Sequence, residues 1–207
     1  MLVWWHDLNP EPAVATGVAA LWGLHVDPTA QVSPDATLNT SRGPISIGAG
    51  TRICAGVCIN GPVTVGADCL IGNLAMVRGT TTIGNGTRIG YAAEIKNALI
   101  AECVTIGPQC FVADSKIERD AYLGAQVRTS NHRLDKRTVE VVVDGKRVDT
   151  GLDKLGCLIG ARAALGIQVI ILPGREIAPD STFAPRITVE KNLPAGRYRL
   201  AQNLEQF

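Results

Sequence analysis

"ISIGAGTRICAGVCINGPVTVGADCLIGNLAMVRGTTTIGNGTRIGYAAEI", residues 45–95, places an aliphatic side chain at every sixth position from Ile47. The series runs Ile47, Ile53, Ile59, Val65, Ile71, Val77, Ile83, Ile89 and Ile95 without a miss. Four residues after each comes a mostly small one, as in Thr51, Val57, Cys69, Ala75 and Thr87. A period of six cannot stay on one side of a helix that turns every ~3.6 residues. It suits short strands joined by tight bends, where Gly and Asn accept the backbone that a bend needs. Three such hexads close a triangular coil of about 18 residues, and stacked coils pair backbone to backbone at about 4.8 Å. The pattern predicts an all-β fold, the left-handed parallel β-helix of hexapeptide repeats, an exception to the right-handed crossover rule.

Outward from this stretch the phase slips by one to Ile100, Ile106 and Val112, and again to Ile117 and Leu123. It resumes as Ile159, Leu165, Ile171, Ile177, Phe183 and Val189. Each slip predicts a shortened corner. The expected organisation is a β-helix of about seven coils over residues 31–194, with a loop inserted at 129–155. Residues 1–30 form an N-terminal helical cap and residues 195–207 a tail that covers the last coil or reaches a neighbouring subunit. The cap is expected because an open sheet edge invites aggregation. Its helix is assigned to Glu11 to Leu24, with Trp22 across the first coil.

Composition excludes several functions. The 207 residues carry 20 basic and 19 acidic side chains, so nothing draws this chain to nucleic acid or an anionic membrane surface. There is no long apolar run, and "MLVWWHDLNPEP" lacks the features of a signal peptide, so a cytoplasmic protein is expected. The six cysteines include no C-x-x-C pair and read as buried small residues in a reducing compartment. No metal is expected. A zinc site of three histidines is ruled out because His6 and His25 precede the repeat and leave only His132.

Inward residues of such a fold only pack, so function belongs to outward residues, insertions and subunit interfaces. Arg78 and Lys96 each follow their aliphatic residue directly and lie one coil apart, which stacks them on one face. Two cations about 5 Å apart repel by about 1 kcal/mol even in water. Either the pair holds a phosphate or carboxylate, or Glu94 or Asp114 neutralises it. The polar stretch "TSNHRLDKRTVEVVVDGKRVDTG", Thr129 to Gly151, interrupts the repeat, and its Asp-Gly between valine runs predicts a hairpin. It is either a functional loop or surface decoration.

Several segments resemble a known family, the C-terminal acetyltransferase domain of archaeal-type bifunctional sugar-1-phosphate nucleotidyltransferase/glucosamine-1-phosphate acetyltransferases. The likeness runs from about Val32 to Val189 and is carried by "GPVTVGADCLIG", "AEIKNALI", "VADSKI", "LGAQVRTSNHRLD", "GKRVDTGLDKLGCLIG" and "ILPGREI". "WWHDL" is similar to the segment that leads out of the nucleotidyltransferase domain, but that domain's Gly-rich loop has no counterpart here, so no synthesis of nucleotide sugars is expected. The resemblance implies a homotrimer that binds acetyl-CoA and an amino-sugar phosphate between subunits. It implies substrate contacts from Arg78, Lys96, Phe111, Tyr122, Asn131 and Arg137, and contacts to the acyl-CoA from Ala125 and Ala161.

The family's catalytic His, however, falls at Pro108, and its Tyr at Phe111. Pro offers no proton acceptor, which removes a general-base route commonly worth about 10²–10⁴-fold. A loop Lys falls at Arg137 and a further Lys at Glu140, the latter a reversal of charge. His132, next to Asn131, is the candidate substitute base, although an extended backbone sends the two side chains in opposite directions. Asp114 and Tyr122 are further candidates. Two functions follow: an acyl-CoA-dependent acyltransferase acting on a sugar phosphate or nucleotide-sugar-type acceptor, and a catalytically inactive trimer that binds such a ligand or scaffolds a partner.

Overall fold

The computed structural model describes residues 4–8 and 23–201. The chain winds into a left-handed parallel β-helix whose three faces hold eight, nine and eight strands. Among the described residues the helical content is one 3-10 turn, Trp4–Leu8. The helix expected over Glu11 to Leu24, and Trp22 with it, lies outside the described residues except at its end. There Gly23 precedes a strand, Leu24–Val26.

The register repeats the hexads directly. On the first face Ile47 pairs with Val65 and Val65 with Ile83, and on the third Ile59 pairs with Val77 and Val77 with Ile95. These side chains stack inward and are almost fully buried, so the aliphatic ladder is the core. Corner residues with positive φ recur, among them Leu74, Ala92, Gln109, Gln126 and Gln168. Their strained backbone is held by the coil below. The N–H of Leu74 donates to Ala55 O at 3.0 Å, that of Ala92 to Asn73 O at 2.9 Å and that of Gln109 to Tyr91 O at 2.8 Å. Backbone pairing therefore continues through the bends. Buried Thr51 and Thr87 are satisfied by donating to Gly66 O and Ala101 O.

The coil count differs from the expected seven. The strands make eight coils, and a ninth strand, Arg197–Tyr198, pairs with Thr182–Phe183 on the second face. The additional coil is the first, where Val26, Val32 and Leu38 are in phase with one another but the bulge at Thr40 to Pro44 sets them out of phase with Ile47. At the other end Tyr198 replaces the aliphatic and stacks on Phe183 with ring centroids 4.9 Å apart. The sheets thus take in residues on both sides of 31–194.

The insertion forms the expected hairpin. Glu140–Val143 and Lys146–Asp149 pair antiparallel around Asp144 and Gly145, both with positive φ, the requirement of a two-residue type I′ turn. It is anchored rather than projecting freely. Val139, Val141 and Leu155 form a second apolar cluster with Trp4, Trp5 and Leu8. Trp4 Nε1 donates to Glu176 Oε1 at 2.9 Å, and Lys116 Nζ meets Asp7 Oδ2 at 2.6 Å, which ties this turn to the first face.

All six cysteines are unpaired thiols; Cys69, Cys110 and Cys157 are buried as expected, whereas Cys54 and Cys58 are half-buried and Cys103 is exposed at a corner. Burial pushes the Cys157 thiol up to about 12. No helix among the described residues is long and apolar enough to cross a membrane.

Candidate functional site

The third face carries Met76–Arg78, Glu94–Lys96 and Phe111–Ala113 on successive coils, with Arg78 opposite Lys96 and Glu94 opposite Phe111. The stacking inferred for Arg78 and Lys96 is therefore present. Both cations are neutralised within the chain. Arg78 donates from Nε and Nη2 to Glu94 Oε1 at 2.9 and 2.7 Å. Lys96 Nζ lies 3.3 Å from Asp114 Oδ2, with side-chain exposures of only 17% and 12%.

Asp114 is the centre of the cluster. It occupies the corner after Ala113, with φ of 49°, a backbone that Asp and Asn tolerate better than most residues. The preceding coil ends in a like corner at Asn97, with φ of 45°. These are the two places where the sequence period slips, so the shortened corners lie one above the other. Asn97 Nδ2 donates to Asp114 Oδ1 at 2.9 Å, and Asn131 Nδ2 donates to Asp114 Oδ2 from the coil above. One carboxylate therefore accepts from an ammonium and two amides, a set of charge-assisted bonds about twice as strong as neutral ones. Asn97 was not singled out from the sequence. The signal was available, because Lys96-Asn97 and Asp114 are about one shortened coil apart.

Arg78, Lys96, Phe111 and Asn131 are thus brought together along one face and its edge. Tyr122 is not with them. It is exposed on the second face, opposite Thr105 and Ala164. Arg137 is exposed in the loop, where its backbone N–H donates to Asp135 Oδ1 at 3.2 Å.

His132 and Asn131 point apart. The His132 Nδ1 is 3.0 Å from Asp153 O, and because a carbonyl only accepts, Nδ1 is the donor of this bond. His132 lines a cavity of about 590 Å³ beneath the hairpin, away from the Asp114 cluster.

Pro108 and Ala125 sit at the corner between the second and third faces, one coil apart, with Pro108 O accepting from Gln126 N at 2.9 Å. Beside them runs a ladder of side-chain amides, Gln109 to Gln126 at 2.9 Å and Gln126 to Gln168 at 2.8 Å. Ala161 lies at the corner between the first and second faces, where its N–H is taken by Glu118 Oε2 at 3.0 Å. The two alanines are on different edges, and a single protomer does not bring them together. Among the described residues no three His, Cys, Asp or Glu side chains converge as a metal site.

No protein-family model matches the chain. The bifunctional sugar-1-phosphate nucleotidylyltransferase/acetyltransferase of Sulfurisphaera tokodaii is 36% identical over 107 residues, 52% of this chain but 27% of its own length. The chain thus spans about a quarter of that protein. A solved structure, WeeI from Acinetobacter baumannii, overlaps with a TM-score of 0.40 at 14% identity, over 78% of this chain and 51% of that one. The putative uncharacterized acetyltransferase YaiX of Escherichia coli strain K12 is 56% identical over 174 residues, and its counterpart in strain 536 is 55% identical. These matches cover 84% of this chain and 76% of YaiX, and so the chain belongs to the YaiX family of acetyltransferase-like hexapeptide proteins.

Proposed function

We propose that the protein transfers an acetyl or other acyl group from acyl-CoA to a sugar-type acceptor, a sugar phosphate or nucleotide sugar. The observation that carries this reading is identity above one half to a protein named an uncharacterized acetyltransferase, over most of both chains. The Lys96, Asp114 and Asn131 cluster supplies a built polar site on the face where the acceptor is expected. In the reaction the acceptor's amine or hydroxyl attacks the thioester carbonyl and gives up a proton as the C–N or C–O bond forms, the C–S bond breaks, and the CoA thiolate takes up that proton or one from solvent. Asn131 and Lys96 orient the acceptor, Arg78 and Phe111 border it, and Asp114 receives the hydrogen bond of the attacking group. Arg137 reaches the same acceptor from the loop.

The site is proposed to be completed in a homotrimer. Exposed Leu74, Tyr91 and Ile167 follow the corner that holds Pro108 and Ala125, and exposed Met76 and Ile170 flank it. That apolar edge suits a neighbouring copy, and threefold packing sets one protomer's second face, with Tyr122, against another's third. Ala125 of one subunit and Ala161 of the next then border the pantetheine of the acyl-CoA. The unpaired thiols suit a reducing, cytoplasmic setting.

The second reading is a trimer that binds the same ligand class without turnover, and Pro108 at the position of the family's base is the observation that favours it. The test is calorimetry with acetyl-CoA, followed by an assay of free thiol release with amino sugars, sugar phosphates and nucleotide sugars. Acceptor-dependent thiol release is expected. Failure to bind CoA at millimolar concentration overturns the transferase, and ligand binding without thiol release establishes the silent trimer.

A further inference from the structure

The cavity beneath the hairpin is lined by three guanidiniums and three carboxylates, and among the described residues one of the guanidiniums has no carboxylate partner. Arg175 is half-buried at the start of the strand Arg175–Ile177, just after the corner at Pro173 and Gly174, and it donates from Nε to Pro173 O at 3.1 Å and from Nη2 to Glu140 O at 2.9 Å. Both acceptors are neutral carbonyls, and among the described residues Arg175 forms no ion pair. The carboxylates nearest in the loop are engaged elsewhere, Asp135 by Arg133 and Glu140 by Arg147 at 3.4 Å. Burial lowers the Arg175 pKa from its ordinary value, and Arg147 and Arg133 then push it down more strongly than Glu140 and Glu176 raise it. The surroundings therefore disfavour the charge that Arg175 carries.

Such a group, opening on about 590 Å³ of space, wants an anion. The rest of the wall suits one of small size. Leu172 and Pro173 give the cavity an apolar side, and His132, whose Nδ1 is taken up by Asp153 O, lines it as well. Arg147, largely exposed on the hairpin, can swing inward from its long contact with Glu140. Glu190 also lines the cavity and offers an acceptor to a hydroxyl.

We infer that this cavity is an anion site separate from the Asp114 cluster, in which Arg175 and Arg147 hold a phosphate group, either free or as the phosphate of a small hydroxylated ester. Guanidinium groups favour phosphate because their paired N–H donors match its oxygens. The inference does not rest on acyl transfer, since its readout is binding alone.

The test is titration of the protein with inorganic phosphate and with glucose 1-phosphate at constant ionic strength, followed by thermal shift and calorimetry. Saturable binding is expected, tighter for the ester if the source is a metabolite and tighter for the ion if it is free phosphate. Arg175→Gln and Arg147→Gln are each expected to weaken it about ten-fold or more, while Arg88→Gln on the second face leaves it unchanged. Arg147→Gln guards against a folding artefact, because that side chain is exposed and supports no backbone carbonyl. Unchanged affinity in both cavity variants, loss confined to Arg78→Gln, or no saturable binding at millimolar phosphate overturns the site.

Discussion

Asn131 donates to the carboxylate of Asp114, seventeen residues earlier, and by doing so ties the start of the inserted loop to the corner one coil below. The same carboxylate holds Lys96, so the loop, the corner and the face share one acceptor. If this is the acceptor site, Asp114→Asn is the informative change. Asn tolerates the positive φ, so the fold survives, while the charge that holds Lys96 is lost. Bonds to charged groups contribute about 1.5–3 kcal/mol, so kcat/KM for acyl transfer is expected to fall about 10- to 100-fold. Asn131→Ala is expected to act in the same direction, and steady-state thiol release checks both.

Pro108→His restores an imidazole at the corner where the resembling family has its base. Pro108 donates no backbone hydrogen bond, so the exchange costs the corner none. An increase in acyl transfer of about ten-fold or more is expected, with an acid limb near the His pKa. A rate that does not change shows that the proton leaves by another group.

Ile95 is fully buried between Val77 and Val112. Ile95→Ala is expected to destabilise by about 2–5 kcal/mol and Ile95→Val by about 0.5–1.5 kcal/mol. Urea unfolding followed by circular dichroism measures the difference, and stacked coils of this kind open from their ends.

Gly174 has φ of 71°, and a Cβ there would lie 2.3 Å from Glu140 O. Gly174→Ala therefore forces the hairpin away from its coil. Since Trp4 and Trp5 pack on that hairpin, a red shift of tryptophan emission is expected together with weaker phosphate binding by the cavity. Retention of both would show that the hairpin does not need this close approach.

Arg133 beside Asp135 holds that carboxyl well below the usual carboxylate range. A carboxyl depressed in the folded state contributes stability that is complete above its unfolded pKa, 3.8, and is lost as pH falls below it. The loop is expected to be indifferent to pH from neutrality down to about 4, then to loosen. Asp135→Asn should remove that acid step from the tryptophan signal without altering the neutral baseline.

The aliphatic hexads made seven of the coils legible, because a period of six has few structural solutions. The first coil and the ninth strand were hidden where Thr40 to Pro44 and Pro194 to Gly196 broke the count. Arg78 and Lys96 could be placed on one face, since stacking follows directly from spacing, whereas Asn131 was reached only through the family resemblance. Arg175 could not, because its importance arises from Glu140 O and Arg147, 35 and 28 residues away in the sequence and joined to it only by folding. The role of Trp4 and Trp5 was hidden for the same reason. Trp4 finds Glu176 across 172 residues, and no local pattern announces it.

The amide ladder of Gln109, Gln126 and Gln168 joins three coils, the last two of which the hairpin insertion separates widely in sequence, with Gln126 and Gln168 42 residues apart. It works as a splice. Whatever length of chain leaves the helix after Thr129, the coil that returns at Cys157 must seat its corner amide on the one beneath. Lineages can therefore lengthen, shorten or rewrite the excursion, and with it the ligands it meets, while the column beneath keeps its count.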